Sequence, residues 1–317
     1  MNTPNPNTTP GSGRDRIPAG QMLKGNLFIL IATIFFGVNI PVVKLLLPEW
    51  MTAMDLTVFR LMGGCLLMWI ASMCVPTQRI RRCDWLSIVS GGALGIFSFI
   101  FLFNIALHYG DPIDVSIIMT LPPVFVILIG ILFQHKHTSW LEIGGVAVAF
   151  AGAFLVIVTQ HAAAHATDKL LGDLFALAST LCYAFYLVVI EKPSHTYRPL
   201  SLLRWVFLFA SIPALLLLPK FPGAPIFHHA AFEPWALVGF IVLCPTFLAY
   251  LLLSPATKLI GSELVSLYQY LVPVVAIIAS MLMHLAVLHW VQVVAIVIIV
   301  GGMVMTNVAK RREARQG

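Results

Sequence analysis

The chain has 317 residues, of which 59% are hydrophobic and only 10% are charged, and its formal net charge is +6. A soluble domain carries roughly 25% charged residues, so this chain lacks the polar side chains needed to cover a water-exposed surface. The composition excludes a cytosolic enzyme, a nucleic-acid-binding protein and a disulfide-built secreted module, and it predicts an integral membrane protein.

The predicted elements begin after an N-terminal tail, residues 1–24, which is rich in Pro, Asn and Thr and which we expect to be disordered. Ten apolar runs follow, and each is long enough to cross a membrane as a helix. Only the linkers 160–171 and 219–234 exceed ten residues, so no extramembrane domain is predicted. In chain order the runs are 25–47, 54–74, 85–109, 113–133, 141–159, 172–190, 200–218, 235–253, 263–284 and 288–309.

Basic residues orient these spans, because cytoplasmic loops are enriched in Lys and Arg. With the N-terminus inside, fourteen of the nineteen Lys and Arg residues fall on the inner side and two, Lys169 and Lys220, on the outer side. The other three, Lys44, Arg60 and Arg204, lie within spans. The sequence therefore predicts an even number of spans and two cytoplasmic termini.

The two halves of the chain match each other at a nearly constant offset. A shift of 150 residues places Pro123 on Pro273, and a shift of 147 places Gly25 and the residues after it on a similar stretch that starts at Gly172. Each half holds five spans, an odd number, so the second half enters the membrane upside down. Inverted repeats of this kind are typical of transporters, although a duplication can also be kept for packing alone.

We therefore predict an all-α polytopic membrane protein with ten transmembrane helices in two inverted five-helix repeats. The repeats are residues 25–159 and 172–309, joined by an outer linker at 160–171 and followed by a basic cytoplasmic tail at 310–317.

Several loose motifs recur in a fixed order along the two halves. They are FGVNIPVVK from Phe36, Arg60, NIAL from Asn104, the run from Ser116 to Pro123, EIGG from Glu142, GDL from Gly172, PTFLAY from Pro245 and SLYQYLVP from Ser266. In this order the chain resembles the EamA repeat of the drug/metabolite transporter superfamily over residues 25–309. The resemblance implies a secondary transporter, most simply an exporter of amino acids or related polar or amphipathic metabolites, in a bacterial inner (cytoplasmic) membrane.

Polar groups inside a span are costly unless they have a partner or face a water-filled cavity. Asn39 lies two residues before Pro41, and both a substrate contact and an interhelical hydrogen bond fit it. A tyrosine deep in lipid needs a hydroxyl partner, which a cavity provides, although aromatic stripes also serve packing. The predicted substrate-binding residues are Phe36, Asn39, Asn104, Thr120, Tyr183, Tyr186, Tyr250, Tyr268 and Gln269.

Prolines in the spans are predicted hinges. Pro123 and Pro273 occupy matching points of spans 4 and 9, and Pro41 interrupts span 1. Proline frees a backbone carbonyl and permits a kink, which gives the helix a place to bend during transport. The alternative is a static kink that improves packing.

Charged residues in the spans are predicted gates. Lys44, Arg60 and Asp114 lie near the outer ends of their spans, whereas Arg204 and Glu263 lie near inner ends. We predict that pairs such as Arg60 with Asp114 form in one transport state and break in the other. The alternative is that these side chains only extend to the lipid headgroups.

No cofactor and no metal site is predicted, because the five cysteines show no C-x-x-C spacing and no phosphate-binding loop is present. The expected partners are a small-molecule substrate and membrane lipid, without nucleic acid. Facilitated diffusion and proton coupling through Asp114 or Glu263 both fit, and oligomerisation is left open. The alternative functions are an integral-membrane enzyme, for which no H-E-x-x-H or G-x-S-x-G motif is present, and a sensor or scaffold subunit.

Overall fold

A computed structural model describes residues 19–47, 49–134, 140–159, 166–216, 225–228, 232–253, 255–256, 259–260, 268 and 270–316. The regular structure in these ranges is entirely helical. Helices α1 to α11 are, in order, Ala19–Leu46, Ala53–Cys74, Arg82–Tyr109, Pro112–Ile118, Pro122–Gln134, Trp140–Thr159, Ala166–Thr196, Pro199–Leu215, Phe232–Leu253, Leu271–Leu282 and Trp290–Gln316.

The structure confirms the predicted all-α polytopic membrane fold. Six candidate spans are long and apolar enough to cross a membrane: α1, α2, α3, α7, α9 and the segment Pro112–Gly130, which combines α4 with the first part of α5. Four shorter apolar helices lie in α6, α8, α10 and α11. The predicted count of ten spans stays a prediction, because the apolar stretches found in these four helices are only 10–17 residues long.

Two helices contain a π-helical turn, and the two turns start 151 residues apart. They are Gly91–Ile96 within α3 and Val242–Leu248 within α9. A π turn inserts one extra residue and rotates the side chains that follow it, and such turns occur often at functional sites. The separation is close to the offset at which the two halves of the sequence match.

A break separates α4 from α5 at residues 119–121, directly before Pro122 and Pro123. Proline has no N–H to donate and disfavours helical backbone in the residue before it, so the chain leaves the helix here. The helix α4 itself starts with a side-chain cap, since the N–H of Ile113 donates to Asp111 Oδ1 at 2.8 Å and Pro112 follows the cap residue. The helix α10 starts at Leu271, 149 residues after α5 starts.

The helices α6 and α11 pack against each other through small residues. A side chain added at Gly302 would lie 2.5 Å from the carbonyl oxygen of Gly145, and one added at Gly152 would lie 3.0 Å from that of Ala295. The two contacts run in opposite directions along the two helices, so α6 and α11 are antiparallel. A shift of 150 residues along the sequence takes Gly145 to Ala295 and Gly152 to Gly302. The two contacts are therefore equivalent positions of the two halves.

One end of the bundle, which we call the Lys44 end, gathers the last residues of α1 and α3 and the first residues of α4, α7 and α11. The ammonium of Lys44 donates to main-chain carbonyls at the end of α3. Gly172, near the start of α7, packs directly on the backbone of Gly110. The side chain of Gln292, near the start of α11, donates to Asp114 in α4 at 2.6 Å.

The opposite end, which we call the Tyr197 end, joins loops from the two halves of the chain. The hydroxyl of Tyr197 donates to Asp84 Oδ2 at 2.6 Å and accepts a hydrogen bond from the N–H of Arg81 at 3.0 Å. The N–H of Gln78 donates to Ser201 Oγ at 2.9 Å. Because α1 and α11 run between the two ends, the first residue of α1 and the last of α11 both lie on this side.

Candidate functional site

A cavity with about 900 Å³ of empty space, part of it in its opening, lies between the two halves of the chain. Its wall is formed by α1, α2, α3, the α4–α5 break, α7, α9 and the start of α10, and most of the lining side chains are apolar or aromatic. Six of the residues predicted as functional line it: Phe36, Asn39, Arg60, Thr120, Tyr183 and Tyr250. Pro123, a predicted hinge, also reaches the cavity.

Arg60 is the charged side chain among the residues that line this cavity, and it is almost fully buried, with 2% of its surface exposed. Its Nε donates to Thr246 Oγ1 at 2.9 Å, and its guanidinium lies over the ring of Phe103, 5.9 Å from the ring centre. Its Nη1 has no hydrogen-bond partner. Arg60 lies seven residues after the start of α2, and its side chain forms part of the cavity wall.

The π turn of α9 accounts for the position of Thr246. Within that turn the Thr246 hydroxyl donates to the carbonyl of Ile241, five residues earlier, at 2.7 Å. This bond orients the hydroxyl oxygen so that it can accept a hydrogen bond from Arg60 on α2. An ordinary α-helical turn would rotate the threonine away from this position.

The two asparagines predicted as substrate contacts lie in different surroundings. Asn39 is 3% exposed and lines the cavity, and its Oδ1 accepts no hydrogen bond. Asn104 is fully buried, and its Nδ2 donates to Thr57 Oγ1 at 3.0 Å, which links α3 to α2. Thr120 sits in the α4–α5 break, where its hydroxyl donates to the Ile117 carbonyl at 2.6 Å.

Aromatic rings form a continuous wall on the side of the cavity that faces the Tyr197 end. Tyr183 lies against Phe99 and Tyr186, with ring centres 4.8 and 6.0 Å apart. Tyr250 meets Phe36 edge to face, with the ring centres 5.8 Å apart. Edge-to-face and offset pairs of this kind are the favoured aromatic geometries, so the wall is well packed.

A second cavity lies beside the first, on the side of the Tyr197 end. It shares Tyr183 and Tyr250 with the central cavity and extends past Tyr186 to Glu191 and His195, near the end of α7. Tyr183 and Tyr250 therefore form part of the wall of both cavities.

One further predicted contact, Tyr268, lies outside the cavity lining. The carbonyl of Tyr268 accepts a hydrogen bond from Thr33 Oγ1 at 3.5 Å, and its ring packs with Ile29 and Ile260. Gln269 lies outside the described residues, as does the predicted gate residue Glu263.

The Lys44 end is closed by polar contacts. The Lys44 ammonium donates to the carbonyls of Leu107, His108 and Gly110 at 2.8, 3.3 and 2.9 Å. Asp173, next to the contact between Gly172 and Gly110, is 1% exposed, and neither of its carboxylate oxygens has a hydrogen-bond partner. Burial also raises the pKa of the nearby Asp111 carboxyl.

The remaining predicted gate and hinge residues lie near the ends of helices or in packed positions. The guanidinium of Arg204 lies over the rings of Trp69 and Trp205, 5.2 and 5.5 Å from their centres. Pro41 lies inside α1, whereas Pro123 and Pro273 are the second and third residues of α5 and α10. Their gating and hinge roles stay predictions, as does the pairing of Arg60 with Asp114.

Within the described ranges, no group of three or more His, Cys, Asp or Glu side chains is arranged to hold a metal ion. Several cavity residues escaped the sequence prediction, including Phe99, Phe103 and Met119. Thr246 and Asp173 lie within motifs that the sequence showed. The contacts of Thr246, and the lack of hydrogen bonds to the buried Asp173 carboxylate, depend on residues distant in the chain.

Comparison with known proteins gives matches over both halves. A family model described as the EamA-like transporter family matches residues 23–158 and again 170–308, which confirms the resemblance that the motifs indicated. Among curated relatives, the "Uncharacterized transporter YyaM" of Bacillus subtilis (strain 168) is 25% identical over 238 residues, 74% of this chain and 77% of the relative. The "Uncharacterized transporter YxxF" of the same organism is 24% identical over 299 residues, 90% of each chain.

A solved structure described as "Crystal structure of protein" has a similar fold. Its TM-score is 0.60 at 17% sequence identity, and the match covers 92% of this chain and 99% of the other. At this identity the likeness concerns the fold alone.

Proposed function

The chain belongs to the EamA-like transporter family, since that family's model matches both of its halves, and from this premise we propose that it exports small metabolites by alternating access. The substrates we propose are amino acids or related polar or amphipathic compounds. Its relatives are named transporters, so a multi-pass membrane transporter is the functional class. No observation in the described residues favours the alternatives of a membrane enzyme or a sensor subunit.

The observation that carries the proposal is the unequal access to the central cavity from the two ends. Toward the Tyr197 end a second cavity, which shares Tyr183 and Tyr250 with the central one, extends past Tyr186 to Glu191. At the Lys44 end the ammonium of Lys44 holds three carbonyls, and Gly172 packs against Gly110. A central site reached from one side only is what alternating access requires of each of its two states.

Charge supports the assignment of the Tyr197 end to the cytoplasm. Exposed basic side chains cluster there, and the positive-inside rule associates such clusters with the cytoplasmic face. In this orientation both termini are cytoplasmic, and the second cavity lies on the inner side of the central one. The exposed basic residues of this end are Arg79, Arg81, Arg82, Lys192 and Arg198.

Flux through reconstituted protein tests the proposal. Proteoliposomes loaded with each of the twenty amino acids in labelled form should release at least one of them with saturable kinetics, whereas protein-free liposomes should not. In cells, overproduction should lower the intracellular concentration of the same compound, which tests the direction. An absence of saturable flux for every compound, together with a phenotype that depends on a partner protein, would overturn transport in favour of a sensor or scaffold.

A further inference from the structure

The central cavity contains a buried cation that lacks a negatively charged partner among the contacts of the described residues. The guanidinium of Arg60 is held by a threonine hydroxyl on one side and lies over a phenylalanine ring on the other, and neither group carries a negative charge. An arginine stays protonated in proteins, so the charge cannot be relieved by loss of a proton. Its Nη1 is left without any hydrogen-bond partner.

A buried charge of this kind is costly in a membrane protein. Removing a cation from water costs more than a single cation–π contact recovers, unless an anion or several hydrogen bonds compensate it. Ionisable groups inside a membrane accordingly mark substrate or ion pathways. A ligand that brings a negative charge into the cavity would therefore compensate the buried charge of Arg60.

A second polar atom without a partner lies in the same cavity wall. Asn39 Oδ1 is buried and accepts no hydrogen bond, so it can take one from a donor on the ligand. The rings of Phe36, Phe99 and Tyr183 line the same cavity. The wall thus offers a cation for a negatively charged group of the ligand, a hydrogen-bond acceptor for an N–H or O–H group, and an aromatic surface for the apolar part of the ligand.

We propose that Arg60 binds the carboxylate of the transported substrate and that Asn39 accepts a hydrogen bond from its ammonium group. This assignment rests on the proposed transport function and narrows the substrate to amino acids with a large apolar or aromatic side chain. A carboxylate matches the single charge of one guanidinium, whereas a phosphate group, with a charge of about −2, would leave excess negative charge in an apolar cavity. The role replaces the gating role that the sequence indicated for Arg60.

A binding assay on the purified protein tests the assignment without requiring flux. Thermal shift and calorimetric titration would use four aromatic probes. They are phenylalanine, 3-phenylpropionate, which lacks the amine of phenylalanine, phenethylamine, which lacks its carboxylate, and phenyl phosphate. We expect phenylalanine to bind best, 3-phenylpropionate to bind more weakly, and neither phenethylamine nor phenyl phosphate to bind measurably. Leucine serves as an aliphatic probe of the same charge.

Variants locate the carboxylate contact. Arg60→Gln should weaken phenylalanine binding by about 30-fold or more, as expected when one member of a buried charge pair is removed. Arg60→Lys keeps the charge without the forked geometry of the guanidinium, so its affinity for phenylalanine should lie between those of wild type and Arg60→Gln. Asn39→Ala should weaken phenylalanine binding but leave that of 3-phenylpropionate nearly unchanged. Arg79→Gln makes the same chemical change at an exposed loop position and serves as the control for folding and charge.

The outcomes separate this assignment from the proposed function. Wild-type protein that binds none of the carboxylate probes, or Arg60→Gln that binds phenylalanine as well as wild type, overturns the carboxylate assignment. Binding that follows the expected order without any flux in proteoliposomes supports the assignment and overturns transport. Flux of uncharged or cationic compounds that Arg60→Gln leaves intact supports transport and overturns the assignment.

Discussion

Replacing Lys44 by methionine should open the Lys44 end of the bundle. Its ammonium holds three main-chain carbonyls at the end of α3, at distances of 2.8 to 3.3 Å. Methionine has a similar length but cannot donate, so the substitution removes these bonds while it keeps most of the packing. The carbonyl oxygens can then be hydrated only if the end separates.

The number of lost hydrogen bonds sets the size of the effect. A hydrogen bond contributes about 1 kcal/mol net, and bonds to charged groups contribute more. Because the Lys44 ammonium is half-buried, we count each bond at the lower value, which gives about 3 kcal/mol in favour of the closed end. Its loss should raise the population of the open state roughly 150-fold, as long as that state remains a minority.

Cysteine labelling measures this population. Ile113 lies at the start of α4 and is fully buried, so a single cysteine there, in a protein whose five native cysteines are replaced, should react with a membrane-impermeant maleimide only when the end opens. Lys44→Met should accelerate labelling by roughly two orders of magnitude. Lys24→Met, which removes an exposed lysine from α1, should leave the rate unchanged. A labelling rate for Lys44→Met within twofold of the reference would refute the closing role of Lys44.

Close backbone contacts and a buried carboxylate give three further predictions. Gly302→Ala places a methyl group against the backbone of α6 and should lower the free energy of unfolding in detergent by about 1–3 kcal/mol. The methyl group of Gly301→Ala meets no atom within 4 Å, so this variant should not be destabilised. Equal melting temperatures of the two variants would contradict this prediction. Gly172→Ala would collide with the backbone of Gly110 and should speed labelling of the reporter cysteine, and an unchanged rate would argue against closure at this contact. The Asp173 carboxylate is buried without a hydrogen-bond partner, so the wild type should melt at a lower temperature at pH 8 than at pH 5. Asp173→Asn should reduce that difference, and an undiminished difference would contradict the argument.

The sequence predicted the helices well because their signals are local. Apolar runs bounded by charged residues, proline or tryptophan mark where a chain enters and leaves a membrane. The sequence predicted one run over 113–133 with a hinge at Pro123, whereas the structure divides it into α4 and α5 directly before the two prolines. The π turns in α3 and α9 have no comparable signal. Their residues read as ordinary helix, and the extra residue in each turn becomes visible only when the backbone hydrogen bonds are known.

The cavity was harder to predict because its key contacts join distant parts of the chain. The sequence could identify Asn39 and Tyr250 as costly in lipid, since a polar group in a span needs a partner whatever the fold. It could not identify the partner of Arg60, because Thr246 lies 186 residues away and its hydroxyl position depends on a π turn. The sequence therefore assigned Arg60 to a gate from its distance to the span end, and the ligand contact that we propose for it depends on contacts that only the fold reveals.

Counterflow in proteoliposomes with the central cavity blocked tests the central claim most directly. Thr120 lies half-buried in the cavity wall, so Thr120→Trp would fill the space available to a substrate. Leu66→Trp adds similar bulk at an exposed position on α2 and serves as the control. We expect saturable amino acid counterflow from wild type and from Leu66→Trp, and none from folded Thr120→Trp. Counterflow of equal rate through Thr120→Trp would contradict transport through this cavity.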